Sequence, residues 1–501
     1  MKHLHSATLA SVLAAGLSMQ PALAGKLNMA TAIPAEITTP DTVPTRLGRL
    51  KFKDGLPDQA TVAKVYENLD FMRGVETFLN GIPAASMVAI RQGLRDMGTV
   101  DGTVGIFENL MDSRSLFLTG NTESVYALSW LDLKNGPMVV ESAPNTLGIV
   151  NDFWFRYVTD MGNAGPDKGK GGKFLFLPPD YAGEVPPGYF VLKSPTFNNI
   201  LVWRGFMVDN DPQPAVANLK RHIRIYPLAA ADNPPENKFI NLSGREVNTI
   251  HANNFKIYEE INQVVQEEPS ASLDPERRGL FASIGLIKGQ HFAPDEKLKK
   301  TLTEAAAVAN ATVRATLYAT RDKAAYYYTG SNWRTPFVGG NHEFLADGGR
   351  LLDARSMFHY YATMITPAMT LKMVGVGSQY AINDRDAQGR YLDGGRNYRL
   401  KLPPNVPAKN FWSVVVYDAQ TRSMLQTDQR YPSIGSQRVG MRTNADGAVD
   451  LYFGPKAPAG KEANWVQTVP GKSWNVLFRL YGPLQPWFDK TWRPGEFELL
   501  K

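Results

Sequence analysis

The sequence predicts an α+β fold in which two strand-rich blocks are separated by a helical stretch. Three observations carry this expectation. Short runs rich in Val, Tyr, Phe and Trp, broken by Gly, Pro and Asn, crowd residues 113–227 and recur in 375–501. Between them, residues 246–374 place their apolar side chains three and four apart, the period of an amphipathic helix. The chain, 501 residues with 43% hydrophobic and 20% charged, has the composition of a folded globule but exceeds what one core usually organises, so two domains are expected.

Taken in order, the first element reads as an export signal. Lys2, His3 and His5 precede an apolar run from Ala7 to Met19, and Ala22-Leu23-Ala24 supplies the small residues a signal peptidase inspects. Residues 1–24 are therefore expected to be removed after Ala24, leaving a periplasmic or secreted protein. The run is too short for an anchor, and no later stretch approaches the roughly 20 apolar residues that span a bilayer. Residues 25–57, rich in Thr and Pro, suit an extended arm.

From Asp58, a plausible cap, Val62, Val65, Tyr66, Leu69, Met72, Val75, Phe78 and Leu79 mark one helix face. Gly81 and Pro83 should end that helix, with a second over Ala84–Met97, so a helical hairpin opens a domain spanning 58–245. Strands are predicted at Val125–Leu133, Met138–Glu141, Asp152–Val158, Lys173–Leu177, Tyr189–Leu192, Leu201–Val208 and Ile223–Tyr226. Such close spacing marks an antiparallel sandwich or barrel rather than a doubly wound nucleotide-binding sheet.

In the helical segment, 246–374, Phe255, Tyr258, Ile261, Val264 and Val265 share a face, and an Ala-rich helix starts at Pro294-Asp295 and runs to Arg321. A helix over Asp353–Val374 contains Pro367 and should kink or break there. The final block, 375–501, offers strands at Tyr398–Leu402, Phe411–Tyr417, Val449–Phe453 and Trp474–Tyr481.

Composition excludes several chemistries. There is no cysteine, so disulfide and thiol chemistry are absent and an exported fold rests on burial and hydrogen bonding. The net charge of +6 is spread along the chain. Lys168, Lys170 and Lys173 sit among glycines without interleaved aromatics and read as a solvated loop, so no nucleic-acid partner is expected. No Gly-x-Ser-x-Gly elbow occurs, and Gly169–Gly172 and Gly375-Val376-Gly377 fit neither a phosphate loop nor a dinucleotide fingerprint. No cofactor is expected.

Near the end, Leu480-Tyr481-Gly482-Pro483-Leu484 leads into Pro486-Trp487-Phe488-Asp489 and Trp492-Arg493-Pro494-Gly495-Glu496. With Pro403-Pro404-Asn405-Val406-Pro407, Phe411-Trp412-Ser413, Tyr417-Asp418 and Gln420-Thr421-Arg422-Ser423-Met424, this resembles domain of unknown function 1214. Upstream, Asn121-Thr122 leading to Tyr126, then Trp130-Leu131-Asp132-Leu133, resembles its N-terminal companion, domain of unknown function 1254. Glu123 stands where that pattern, Asn-x-Asp-Thr-x-Tyr, has Asp. The resemblance implies an exported two-domain protein with a jelly-roll-like C-terminal β-sandwich over 375–501, and no general activity.

The residues themselves suggest a binding surface. Tyr126, Trp130, Trp154 and Tyr157 on strands, with Asn121, Asp132, Arg156 and Asp160 nearby, could stack on a sugar ring or a flat apolar ligand while polar groups orient it. Single aromatics of this kind more often fill a sandwich core. Arg422, flanked by Asp418 and Asp428, offers an anion site or a locked loop. A carboxylate enzyme would draw on Asp132, Asp160 or Glu343, and a cell-envelope partner is the third reading. Asn341-His342-Glu343 with Asp347 lacks the second histidine of a zinc helix. Asp384 and Asp386 imitate the start of a calcium loop, but Gly395 falls where the bidentate acid belongs, so a hairpin turn is the expected reading. A small-molecule ligand is therefore the expected partner; the sequence leaves the oligomeric state open.

Overall fold

The computed structural model describes residues 29–100 and 102–500; the expected signal at 1–24 lies outside them. The described residues fall into two compact units, 29–67 and 68–500. In the first, where the sequence suggested an arm, Thr42–Thr45, Gly48–Lys53 and Leu56–Pro57 pair as an antiparallel meander. Asp58 then caps a helix, its carboxylate accepting from the Thr61 N–H at 2.7 Å.

That helix, α1, runs unbroken from Gln59 to Asp96, so the expected hairpin is corrected to one long helix. Proline normally interrupts a helix because it lacks an N–H and leaves the carbonyl four residues earlier unpaired. Here the carbonyl in question belongs to Leu79, and the Ser356 hydroxyl donates to it at 3.3 Å. Gly81 also serves packing: a Cβ there would lie 2.1 Å from Ile261 Cδ1.

The N-terminal β domain comprises β1 (Val104–Ile106), β2 (Ser124–Asp132), β3 (Met138–Ser142), β4 (Thr146–Asp152), β5 (Tyr157–Gly162), β6 (Gly172–Leu177), β7 (Phe190–Lys193), β8 (Asn198–Phe206), β9 (Arg224–Pro227) and β10 (Phe239–Asn241), with α2 (Gln213–His222) before β9. They form a six-stranded sheet in the order β10-β1-β2-β8-β4-β5 and a four-stranded sheet β7-β6-β3-β9. Neither closes into a barrel, and most pairings are antiparallel. The strand expected over Asp152–Val158 is broken in the middle: Asp152 ends β4, residues 153–156 form a turn, and Tyr157 and Val158 open β5. Asp152 Oδ1 accepts from the N–H groups of Trp154 and Arg156, both at 2.9 Å, and Phe155 takes φ 60°.

The helical segment contributes α3 (Lys256–Glu267), α4 (Pro275–Ala282), α5 (Glu296–Tyr318), α6 (Leu352–Tyr361) and the single turn α7 (Pro367–Thr370). Asp295 caps α5 by accepting from Leu298 N–H. The break expected around Pro367 occurs: α6 stops at Tyr361, and Pro367 begins α7 behind a Thr366 cap. No helix of the described residues is long and apolar enough to cross a membrane.

The C-terminal domain has β11 (Ser378–Asn383), β12 (Tyr398–Leu402), β13 (Ala408–Asp418), β14 (Ser433–Gly435), β15 (Val449–Gly454), β16 (Trp465–Gln467), β17 (Trp474–Pro483) and β18 (Phe497–Leu499). They build two four-stranded sheets, β11-β17-β13-β14 and β16-β15-β12-β18. Val414, Val416, Phe478 and Leu480 meet Leu400, Leu451, Phe453 and Phe497 in the core between them, so the domain is a two-sheet sandwich.

Strand alternation explains how the two β domains join. On β2, Val125, Ala127 and Leu131 face the N-terminal domain's own core with Leu201 and Trp203. Tyr126, Leu128 and Trp130 face the other way, into a larger core that also takes side chains from α1, α3, α5 and α6. Val415, Tyr417 and Leu477 enter that same core from the C-terminal sandwich. Each domain thus has one sheet buried on both faces, which is why these strands read as continuous apolar runs.

Candidate functional site

Two of those doubly buried strands each carry one charge. In β8 the run Val202-Trp203-Arg204-Gly205-Phe206, and in β17 the run Leu477-Phe478-Arg479-Leu480-Tyr481, place a single arginine among apolar residues. Register puts Arg204 opposite Tyr126 on β2 and Arg479 opposite Tyr380 on β11. Each β domain therefore offers a cross-strand Arg–Tyr pair to the shared interior.

The pairs meet at one narrow pocket, whose empty space is about 570 Å³ only when the open solvent at its mouth is included. Tyr126, Arg204, Tyr380 and Arg479 line it together with Thr119 and Asn121. Phe337, Phe358, Met364, Met369 and Leu477 form its apolar wall. Arg204 is 7% exposed and Arg479 3%. Neither makes an ion pair among the described residues; the Arg479 Nη2 donates to the Thr119 carbonyl at 2.6 Å. Arg204 Nε, Arg479 Nη1 and the Tyr380 hydroxyl are buried without a hydrogen-bond partner among the described residues. A guanidinium stays charged under any condition in which proteins fold, and holding one buried and unpaired costs several kcal/mol.

Asn121 orients the site. Its Oδ1 accepts from the Glu123 and Ser124 N–H groups, each at 3.1 Å, and from the Ser124 hydroxyl at 3.0 Å. That fixes the amide, so Nδ2 donates to the Tyr126 phenol oxygen at 2.8 Å and leaves the phenol proton free to be donated. Burial pushes the Tyr126 phenol up, against the pull of Arg204 and Arg479, and it stays neutral. Backbone strain collects here: Thr119 and Met364 hold φ of 48° and 63°, a conformation that side-chain-bearing residues adopt at a cost.

Beside the cavity, Asp160 on β5 accepts from the Thr366 hydroxyl at 2.6 Å. Burial raises its pKa to about 6, although the Thr366 bond, the Arg204 charge and the Tyr157 hydroxyl all pull it down. Asn151 clamps the same segment, its side chain bonding both the N–H and the carbonyl of Ile365 at 3.0 and 2.8 Å.

Of the residues singled out from sequence, Asn121 and Tyr126 line this cavity. Trp130 is in the shared core, its indole N–H on Asn198 Oδ1 at 2.9 Å. Trp154 lines a separate apolar pocket with Leu273 and Phe281, and Arg156 pairs with Asp152. Arg422 lies 3.9 Å from the centre of the Tyr360 ring and makes no ion pair among the described residues; Asp418 pairs with Lys472 and Asp428 with Gln467. Asp132 accepts from Lys134 N–H at its strand end, and Glu343 is exposed; neither lines the cavity. Asp384 pairs with Arg334 and Asp386 with Arg390. Among the described residues no group of three His, Asp or Glu is placed to hold a metal ion.

Arg204, Arg479 and Tyr380 were missed by the sequence reading. A signal was present: a lone arginine in a strand otherwise apolar on both faces has no solvent to reach, and such a residue needs an internal purpose.

Comparison with solved structures places the fold. The crystal structure of the VPA0106 protein from Vibrio parahaemolyticus matches over 86% of this chain and 100% of its own, with 18% identity and a TM-score of 0.53. The crystal structure of an uncharacterized protein from Burkholderia cenocepacia covers 87% of this chain and 96% of its own, at 13% identity and a TM-score of 0.39. No curated protein matches the chain. Residues 102–227 match the protein family of unknown function DUF1254 and residues 377–485 the family of unknown function DUF1214; Arg204 lies in the first stretch and Arg479 in the second, with the cavity's apolar wall coming largely from the segment between them. The chain therefore carries a stretch matching DUF1254 followed by one matching DUF1214, the order its sequence resembles.

Proposed function

We propose that this is an exported protein, periplasmic or secreted, that binds a small organic molecule in the cavity between its DUF1254 and DUF1214 domains. One observation carries the reading: two buried arginines, each without an ion pair, converge on one cavity from different domains. Nothing in folding rewards that arrangement, because apolar residues of similar volume would pack the same strands at lower cost. A polar-headed ligand offsets the penalty. The strained Thr119 and Met364 at the same place support it.

The test is a thermal-shift screen of the mature protein against sugars, organic acids, lipids and divalent ions, since a ligand that prefers the native state raises its melting temperature. An organic ligand should raise it in the wild type and not in Arg204→Met. The reading fails if no organic class shifts the transition, or if the shift survives in both Arg204→Met and Arg479→Met.

A further inference from the structure

Resting on that reading, we infer that the cavity's ligand is an amphipathic organic monoacid, its carboxylate held between Arg204 and Arg479 and its apolar body against Phe337, Phe358, Met364 and Met369.

The polar lining supplies donors. Arg204 Nε, Arg479 Nη1 and the Tyr380 hydroxyl have no acceptor among the described residues, and Asn121 leaves the Tyr126 proton free. The Thr119 carbonyl, an acceptor on this wall, is already taken by Arg479. A molecule entering here has to bring acceptors, and with two guanidinium groups facing it those acceptors are best charged. The two arginines sit on different sheets and each leaves an N–H unused, so a single carboxylate can give one oxygen to each.

Charge balance selects a monoanion. Glu123 acts through space on Arg479, and Asp160 on Arg204. Both carboxylates are buried, so part of the positive field is already cancelled, and a phosphate dianion would meet two like charges. The rest of the wall has no use for polar groups: Phe337 and Phe358 lie at 5.0 Å between ring centres, and methionines adapt to irregular apolar shapes. A sugar, with hydroxyls on every side, would leave most of them unpaired against this wall.

The probes are pairs of equal shape and different charge: 3-phenylpropanoate against 3-phenylpropanamide, and octanoate against octanamide, with phenyl phosphate as the dianion. Binding to the full-length mature protein is measured by calorimetry and thermal shift at pH 7.5. At least one acid should bind at least about tenfold more tightly than its amide, the discrimination expected when a buried polar site loses its partner. Arg204→Met and Arg479→Met should each abolish that preference, weakening the acid at least to the level at which the wild type binds its amide. If a variant does not fold, the acid–amide ratio in the wild type decides alone. Equal binding of acid and amide overturns the monoacid and leaves the pocket reading standing; tighter binding of phenyl phosphate overturns the monoanion. If no probe binds and the broad screen is also silent, the pocket reading falls with it.

Discussion

At the scale of single residues, the buried arginines are the feature that physical chemistry does not explain by stability. If Arg204 is kept for a ligand, Arg204→Met should melt at the same temperature as the ligand-free wild type or higher, because a methionine of similar length removes the burial penalty. Calorimetry of the two proteins checks this, and a large loss of stability would assign the arginine to the fold.

Asp160 gives a second residue-level prediction. The folded protein holds its proton up to about pH 6, whereas an unfolded chain releases it near 4. The proton therefore stabilises the fold fully below about pH 4, and that contribution is lost as pH rises through 6. Asp160→Asn keeps an acceptor for Thr366 but cannot ionise, so its stability relative to wild type should improve from pH 4 to pH 7, by up to about 3 kcal/mol. Urea titrations at the two pH values measure the difference; a constant offset would refute the assignment.

At the scale of elements, α1 shows how a tertiary contact overrides a local rule. Gly81 and Pro83 together are a sound stop signal in isolation. The helix continues because Ser356 of α6 supplies the hydrogen bond that Pro83 removes. Ser356→Ala should therefore cost about 1 kcal/mol in the wild type and close to nothing in Pro83→Ala, where the new N–H serves Leu79; a double-mutant cycle reads the coupling. Gly81→Ala should destabilise by about 1–3 kcal/mol despite alanine's better helix propensity, because its Cβ meets Ile261. Ile261→Ala should recover part of that loss.

At the scale of the whole molecule, the core shared by both β domains predicts how residues 68–500 unfold. Val415, Tyr417 and Leu477 pack with Tyr126 and Leu128 rather than within the sandwich. These residues should unfold in one cooperative transition, and a fragment containing only 375–501 should expose an apolar sheet face and bind the dye ANS, which the full chain should not. Two resolved calorimetric peaks within this unit would count against it. For export, N-terminal sequencing of secreted material should find Gly25 first.

The alternation of strand blocks and helices was legible in the primary structure, because periods of two and of three to four are local properties written in consecutive residues. The sequence also located the Asn121–Tyr126 corner, whose hydrogen bonds span five residues. It ran one strand through Asp152–Val158 and missed the turn at 153–156, because aromatic residues in a turn carry the same composition signal as a strand and only the Asp152 carboxylate's bonds distinguish them. What tertiary structure alone decided is which residues meet: Arg204 and Arg479 are 275 positions apart, the difference of their numbers, and no local pattern relates them. Their convergence depends on strand register in two separate sheets and on the core that joins those sheets, and neither is a property of any short stretch of chain.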